Sequence, residues 1–506
     1  MAVGVGSRLR PFAATAAVLV VVAGLAAAGL ATAGPGTPWP PGVAPIAAFV
    51  SHDRGLAFVR PVPVHFQTPR AFDAEVARET TPTTPATLAA VRRYAAELRA
   101  LGLLDGSVDV VAAETAADAG GAVLGYYTPT TKALYLRGRS LTPAVQVTLA
   151  HELTHALQDQ HFGLNRLDRR AKTEEETFGL TALEEGDAVV DQDDYQSSLP
   201  VAEQRRATDQ PTTPGPTTGP TASALTVPVL TATASVPYVL GPDLVGAVFA
   251  AHADTVADGN AAIDRAYRDP PATELDVLDP VDYLRHLGSR TLPAPARPAG
   301  SHRQGGRQTF GAFTLYLTLA ARLPARQALS AAGRWGGGSM VQYRTPTGRS
   351  CLTADVVGRT PAGTAALAGA LARWAAAMPA GQATVATVPG GAVPGGPVPG
   401  GPVPGGAGSG PLVRLTACDP GRAAKAGPGT LDAALTLADQ RDQNEVDALY
   451  DGASPTVAGC VGDRALSDKA LLRAETTVNG TYGTPPAAAT RTVTGRLHRL
   501  IRGCRR

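Results

Sequence analysis

Five consecutive residues, His151-Glu152-Leu153-Thr154-His155, constrain this chain more than any other stretch. On a helix, residues i and i+4 lie one turn apart on the same face, so both imidazoles can reach one Zn²⁺. Glu152 then stands beside them, placed to take a proton from water activated at the metal. Histidine is scarce, nine in 506 residues, so chance would produce the pattern well under once. The context predicts a helix over 144–162. Thr142-Pro143 sets proline at the first helical position, and Val147, Leu149, Leu153, Ala156 and Leu157 surround the motif.

A catalytic zinc needs a third protein ligand and an open fourth position. His161, ten residues after His151, matches the last histidine of the metzincin pattern H-E-x-x-H-x-x-G-x-x-H. Gln158 occupies the place of its turn glycine, and no Met-turn is evident. The rival lies in Leu183-Glu184-Glu185-Gly186-Asp187-Ala188, on a helix expected over 173–195, which is the gluzincin arrangement. Glu185 shares a mostly apolar helix face with Phe178, Ala182, Ala188 and Val189, where a carboxylate is costly unless compensated. Glu184 falls on the wetter face with Thr177, Asp187 and Asp191. Glu185 is the favoured ligand, and Gly186 would let two helices approach closely. Asp159 and Asp187 are candidates to orient a ligand histidine. Tyr126, Tyr127 and Tyr195 are candidate oxyanion donors. His252 and His286 read as structural or exposed, and the sequon at Asn479 carries little weight.

Residues 1–33 read as an export segment. Arg8 and Arg10 precede an uncharged run that ends in Ala31-Thr32-Ala33, so the segment is a cleaved signal peptide or an N-terminal membrane anchor. No later stretch reads as long and apolar enough to span. Four cysteines in an exported chain imply two disulfides. Cys351–Cys418 and Cys460–Cys504 are favoured because each pair then lies within one segment. A formal charge of +2 argues against a nucleic-acid partner. The expected layout is a linker over 34–55, a catalytic core over 56–206 and a disordered Thr/Pro-rich loop over 207–224. A helical remainder over 225–381 follows, with a short strand over 341–344, then a Val-Pro-Gly-Gly repeat loop over 382–411 that leads into a strand over 412–417. A disulfide-bonded helical segment over 412–506 completes the chain. Within the core, a strand is expected over 108–112, and a hairpin over 123–136 around a Thr-Pro-Thr-Thr turn.

GYYTPTTKALYLRG, LAHELTHALQDQHF and ALEEGDA together resemble the uncharacterised exported zinc-metallopeptidase-like proteins of actinobacteria, of gluzincin type. Further pieces fit as well: VPYVLG, RDPPATELDVLDPVDYL, RWGGGSMVQY and ACDPG. The resemblance spans about Leu56 to Cys504. It implies an α+β, zincin-like fold, with His151, His155 and Glu185 holding Zn²⁺, Glu152 as base, and a peptide or protein as substrate. Where the family pattern has an Asp-Arg pair after the Trp-Gly-Gly, this chain has Gly338-Ser339. The alternative reading is a non-catalytic exported envelope or binding protein with a structural or vestigial metal site.

Overall fold

The motif helix begins where the sequence predicts. Thr142 caps it, accepting the Val145 N–H, Pro143 takes the first turn, and the helix runs Pro143–Phe162 before Gly163 turns the chain at φ 71°. This computed structural model describes residues 38–80, 84–113, 123–209, 227–390 and 410–506. The expected export segment, residues 210–224 of the Thr/Pro-rich loop and residues 391–409 of the repeat loop lie outside the described residues. The architecture is mixed α+β with two sheets.

The first sheet has β1 (Val64–Gln67), β2 (Gly125–Thr128) and β3 (Ala133–Arg137) in the order β1-β3-β2. Strands β2 and β3 form the expected hairpin, with Tyr127 opposite Leu134, and β1 runs parallel to β3. Leu149, Leu153, Ala156 and Leu157 of the motif helix are fully buried in one core with Leu134 and Leu136. The same core takes in Val43, Ile46 and Val50, which corrects the expectation of a linker over 34–55. A helix, Ala44–Arg54, occupies much of that segment, with proline in its first turn and Gly55 ending it at φ 69°. The Pro/Gly-rich flanks mask this short apolar stripe. The strand expected over 108–112 is also absent. Residues 110–113 are helical, with the Asp109 carboxylate accepting the Ala112 N–H as a helix cap does.

The short strands expected over 341–344 and 412–417 belong to a second, five-stranded sheet, most of which lies in or beside the stretch expected to be mainly helical. Its strands are β4 (His302–Gln308), β5 (Trp335–Arg344), β6 (Ser350–Gly358), β7 (Ala383–Val388) and β8 (Leu412–Cys418), all antiparallel in the order β4-β5-β6-β8-β7. Residues 341–344 of β5 are the expected short strand; glycines hide its start from a propensity reading, yet packing demands them: a Cβ on Gly338 would lie 2.2 Å from the Phe310 carbonyl oxygen. Gly338 and Ser339 face Val356 and Asp355 across β6. Strand β7 takes the start of the expected repeat loop. Cys351 and Cys418 are directly opposed on β6 and β8 and form one disulfide. The other, Cys460–Cys504, joins helices Pro455–Ala465 and Ala487–Cys504. Two disulfides fit an oxidising environment outside the cytoplasm.

Helix Glu174–Ser198 opens with a reciprocal cap between Thr173 and Glu176 and packs against the motif helix. Gly186 does allow close helix packing, but against helix Gly241–Ala250 rather than the motif helix: a Cβ there would lie 2.2 Å from the Gly241 backbone. Together with Pro228–Val239, that partner makes a 23-residue apolar stretch that is long and apolar enough to cross a membrane, contrary to expectation. Its most apolar 18 residues are 61% buried inside the fold, as a core helix pair is.

Candidate metal centre

The facing sides of the motif helix and helix Glu174–Ser198 bring His151, His155 and Glu185 together. His151 Nε2 lies 3.1 Å from Glu185 Oε2 and 3.1 Å from His155 Nε2, and His155 Nε2 lies 3.3 Å from Glu185 Oε2. An ion about 2.0–2.1 Å from each donor in a tetrahedral shell would set them about 3.3 Å apart. The triangle therefore has the size of three ligands around one ion. Its chemistry agrees, because two ring nitrogens facing each other at that distance need a shared cation or a proton. The three can hold a metal ion. His151 is almost fully buried, whereas the His155 and Glu185 side chains keep 14% and 11% exposure, so any opening to solvent is on their side.

The second histidine is held from behind. Its Nδ1 lies 2.9 Å from Gln158 Oε1, while Gln158 Nε2 donates to the Glu184 carbonyl at 2.9 Å and to Asp187 Oδ2 at 3.1 Å. With the amide nitrogen committed to two acceptors, its oxygen faces the ring. A neutral His155 would therefore carry its proton on Nδ1 and turn a bare Nε2 toward His151 and Glu185. Asp187 in turn accepts from Arg54 Nε at 2.8 Å and from the Tyr267 hydroxyl at 2.9 Å. Thr154 adds a further tie between the helices, donating to Asp191 at 2.8 Å.

Glu152 is 2% exposed, and its Oε2 accepts the Tyr127 N–H of β2 at 2.7 Å. Burial raises its pKa, against the opposing pull of His151 and His155. Burial also works against a charged His155. The Glu185 carboxylate beside it outweighs that cost and lifts the imidazole to about 10. The two histidines hold Glu185 far below the ordinary carboxylate range despite its burial. A tyrosine that sequence reasoning passed over completes the site. Tyr238, on helix Pro228–Val239, stacks its ring 6.2 Å from that of His151 and hydrogen-bonds Glu185. Burial, then Glu185 and Glu152, push its phenol pKa up, so it stays a proton-bearing donor. The only sequence sign of it was its place in VPYVLG.

The remaining candidates fall elsewhere. His161 is exposed, with Nε2 2.8 Å from the Ala57 carbonyl oxygen, and it is not part of the group. Glu184 is not on a wet face. Its Oε1 is buried with no hydrogen-bond partner, and burial raises its pKa well above the ordinary value. Asp159 meets no histidine. It accepts the Tyr127 hydroxyl at 2.9 Å and the Leu164 N–H at 3.1 Å. Tyr195 donates to Gln146 at 3.0 Å, and Tyr126 stacks on Tyr135, so none of the three expected tyrosines is the one beside the ligands. Asp187 reaches His155 only through Gln158. His252 and His286 are exposed, and Asn479 is buried at 8% exposure, poorly placed for glycosylation.

Comparison with protein-family models, with curated proteins and with solved structures finds no match to this chain.

Proposed function

We propose that the protein is an exported zinc-dependent peptidase of gluzincin type built on a zincin-like core. The observation that carries this reading is Glu152, a buried carboxylate next to two ligand histidines that is itself outside the ligand group. A structural metal site has no use for such a group. Two imidazoles, one carboxylate and an open fourth position are the ligand chemistry of catalytic zinc, which polarises a carbonyl and makes water acidic.

The chain's own residues supply the rest. Glu152, fixed by the Tyr127 N–H, accepts the proton of the attacking water and passes it to the leaving amine. Tyr238 donates its hydroxyl to the oxyanion as the carbonyl carbon becomes tetrahedral. Gln158 keeps the His155 ring aligned through both steps. The Arg54–Asp187 ion pair and the Tyr267 hydroxyl fix Gln158 in turn. The substrate is a peptide or protein outside the cytoplasm.

The test is elemental analysis of the purified protein together with turnover of a peptide library, with and without chelator. One equivalent of zinc and chelator-sensitive hydrolysis are expected. Bound zinc with no hydrolysis of any peptide would support the non-catalytic alternative instead.

A further inference from the structure

A cavity of about 200 Å³ opens beyond the C-terminal end of the motif helix, and none of its lining residues belongs to the metal group. Three arginines line it: Arg166, Arg170 and Arg268. All three are exposed, and among the described residues none forms an ion pair with a carboxylate. The one acid in the lining, Asp264, is already paired with Arg54 at 2.8 Å. Three guanidinium groups against this one carboxylate leave the cavity with a net positive charge. Its inner wall is apolar: the rings of Phe162 and Tyr267 stack at 4.2 Å and 5°, flanked by Leu167.

Unpaired guanidinium groups around a concavity offer planar, two-pronged donors that match a carboxylate. A purely ionic surface patch would lack the aromatic wall, and a purely apolar pocket would lack the arginines. We propose that this cavity binds a small aromatic carboxylate, its charge held by Arg170 and Arg268 and its ring laid against Phe162. The volume of about 200 Å³ accommodates one ring. Arg166 is partly engaged, because its Nη2 donates to the Phe162 carbonyl at 2.7 Å, so it frames the wall and leaves the carboxylate to the other two. The site stands on this geometry alone, independent of the peptidase reading.

The probe is benzoate, titrated calorimetrically into the chelator-treated full chain, so that a missing metal or absent peptidase activity cannot affect the result. Saturable one-to-one binding is expected, weakening as salt is raised. In the double variant Arg170→Gln/Arg268→Gln the Kd should rise at least ~10-fold, the loss of one or two charge-assisted hydrogen bonds. Benzyl alcohol and inorganic phosphate, each lacking one half of the ligand, should bind at least ~10-fold more weakly than benzoate. Absence of saturable binding, or an unchanged Kd in the double variant, would overturn the proposal. So would either control binding as tightly as benzoate. Circular dichroism checks the fold of the variant, and Arg268→Gln alone serves if the double variant unfolds.

Discussion

The side-chain oxygen of Gln158 lies 2.9 Å from Nδ1 of His155, one helical turn away on the same helix. The residue that removes the metzincin glycine is thus the one that aims His155, the proposed second ligand. Groups in this position typically contribute ~10–100-fold to metal affinity. Gln158→Ala should weaken zinc by that factor, read by competition with a chromophoric chelator. An unchanged affinity would show that the ring is held by other means.

The third ligand is tested by a comparison among three variants. Glu185→Ala leaves two histidines, and zinc affinity should fall steeply. His161→Ala should change it little, since that ring faces the Ala57 carbonyl. Glu184→Ala should also stay within a few-fold. Loss of zinc from His161→Ala with retention by Glu185→Ala would reverse the assignment.

Glu152→Gln preserves shape and removes the base. Turnover should drop at least ~10³-fold while one equivalent of zinc remains bound, because both proton transfers depend on this carboxylate. Hydrolysis at the native rate would refute the mechanism.

Tyr238→Phe deletes one hydroxyl beside Glu185. A loss of ~10²–10³-fold in kcat with KM and zinc content nearly constant is the signature of a donor used in the transition state. A loss of zinc in step with activity would instead mean that the hydroxyl only supports Glu185.

The parts legible in the sequence were those governed by short-range patterns. Thr142-Pro143 signalled a helix start, the two β-prone runs around Lys132 a hairpin, and the apolar face of Glu185 a buried carboxylate. The parts missed depend on packing between distant segments. Strand β1 exists because β3 offers it a parallel edge, and the glycine-rich start of β5 because its glycines allow close backbone approach at Phe310 and Arg290. Tyr238 sits 53 residues beyond Glu185 in sequence, and only the packing of its helix on the glutamate helix makes them neighbours. Glu184 was misplaced because helical neighbours alone do not reveal which face a second helix will cover.

One pH effect follows from burial away from the metal. Glu97, a partner of Gln342, is pushed up to about 8 by burial, with Glu174 adding to the shift. The folded state therefore holds a proton that the unfolded chain releases near 4.5. The linked stability is present below 4.5 and is lost as pH rises toward 8. The urea midpoint should fall over that window, and Glu97→Gln should flatten the fall. An identical pH profile in the variant would exclude Glu97 as a source.

The buried ion pair between Arg54 and Asp187 has a consequence for assembly. The back wall of the metal site draws on residues 54, 158, 187 and 267, so it closes only after long stretches of chain have met. A partly folded chain, lacking the docked Ala44–Arg54 helix, would leave Asp187 buried without its guanidinium and Gln158 without a fixed anchor. Such a chain should take up metal poorly, while a finished one takes it up well and gains stability in proportion. Under the proposed function, metal occupancy would report how completely the chain has folded, with uptake waiting until the Ala44–Arg54 helix has locked into place.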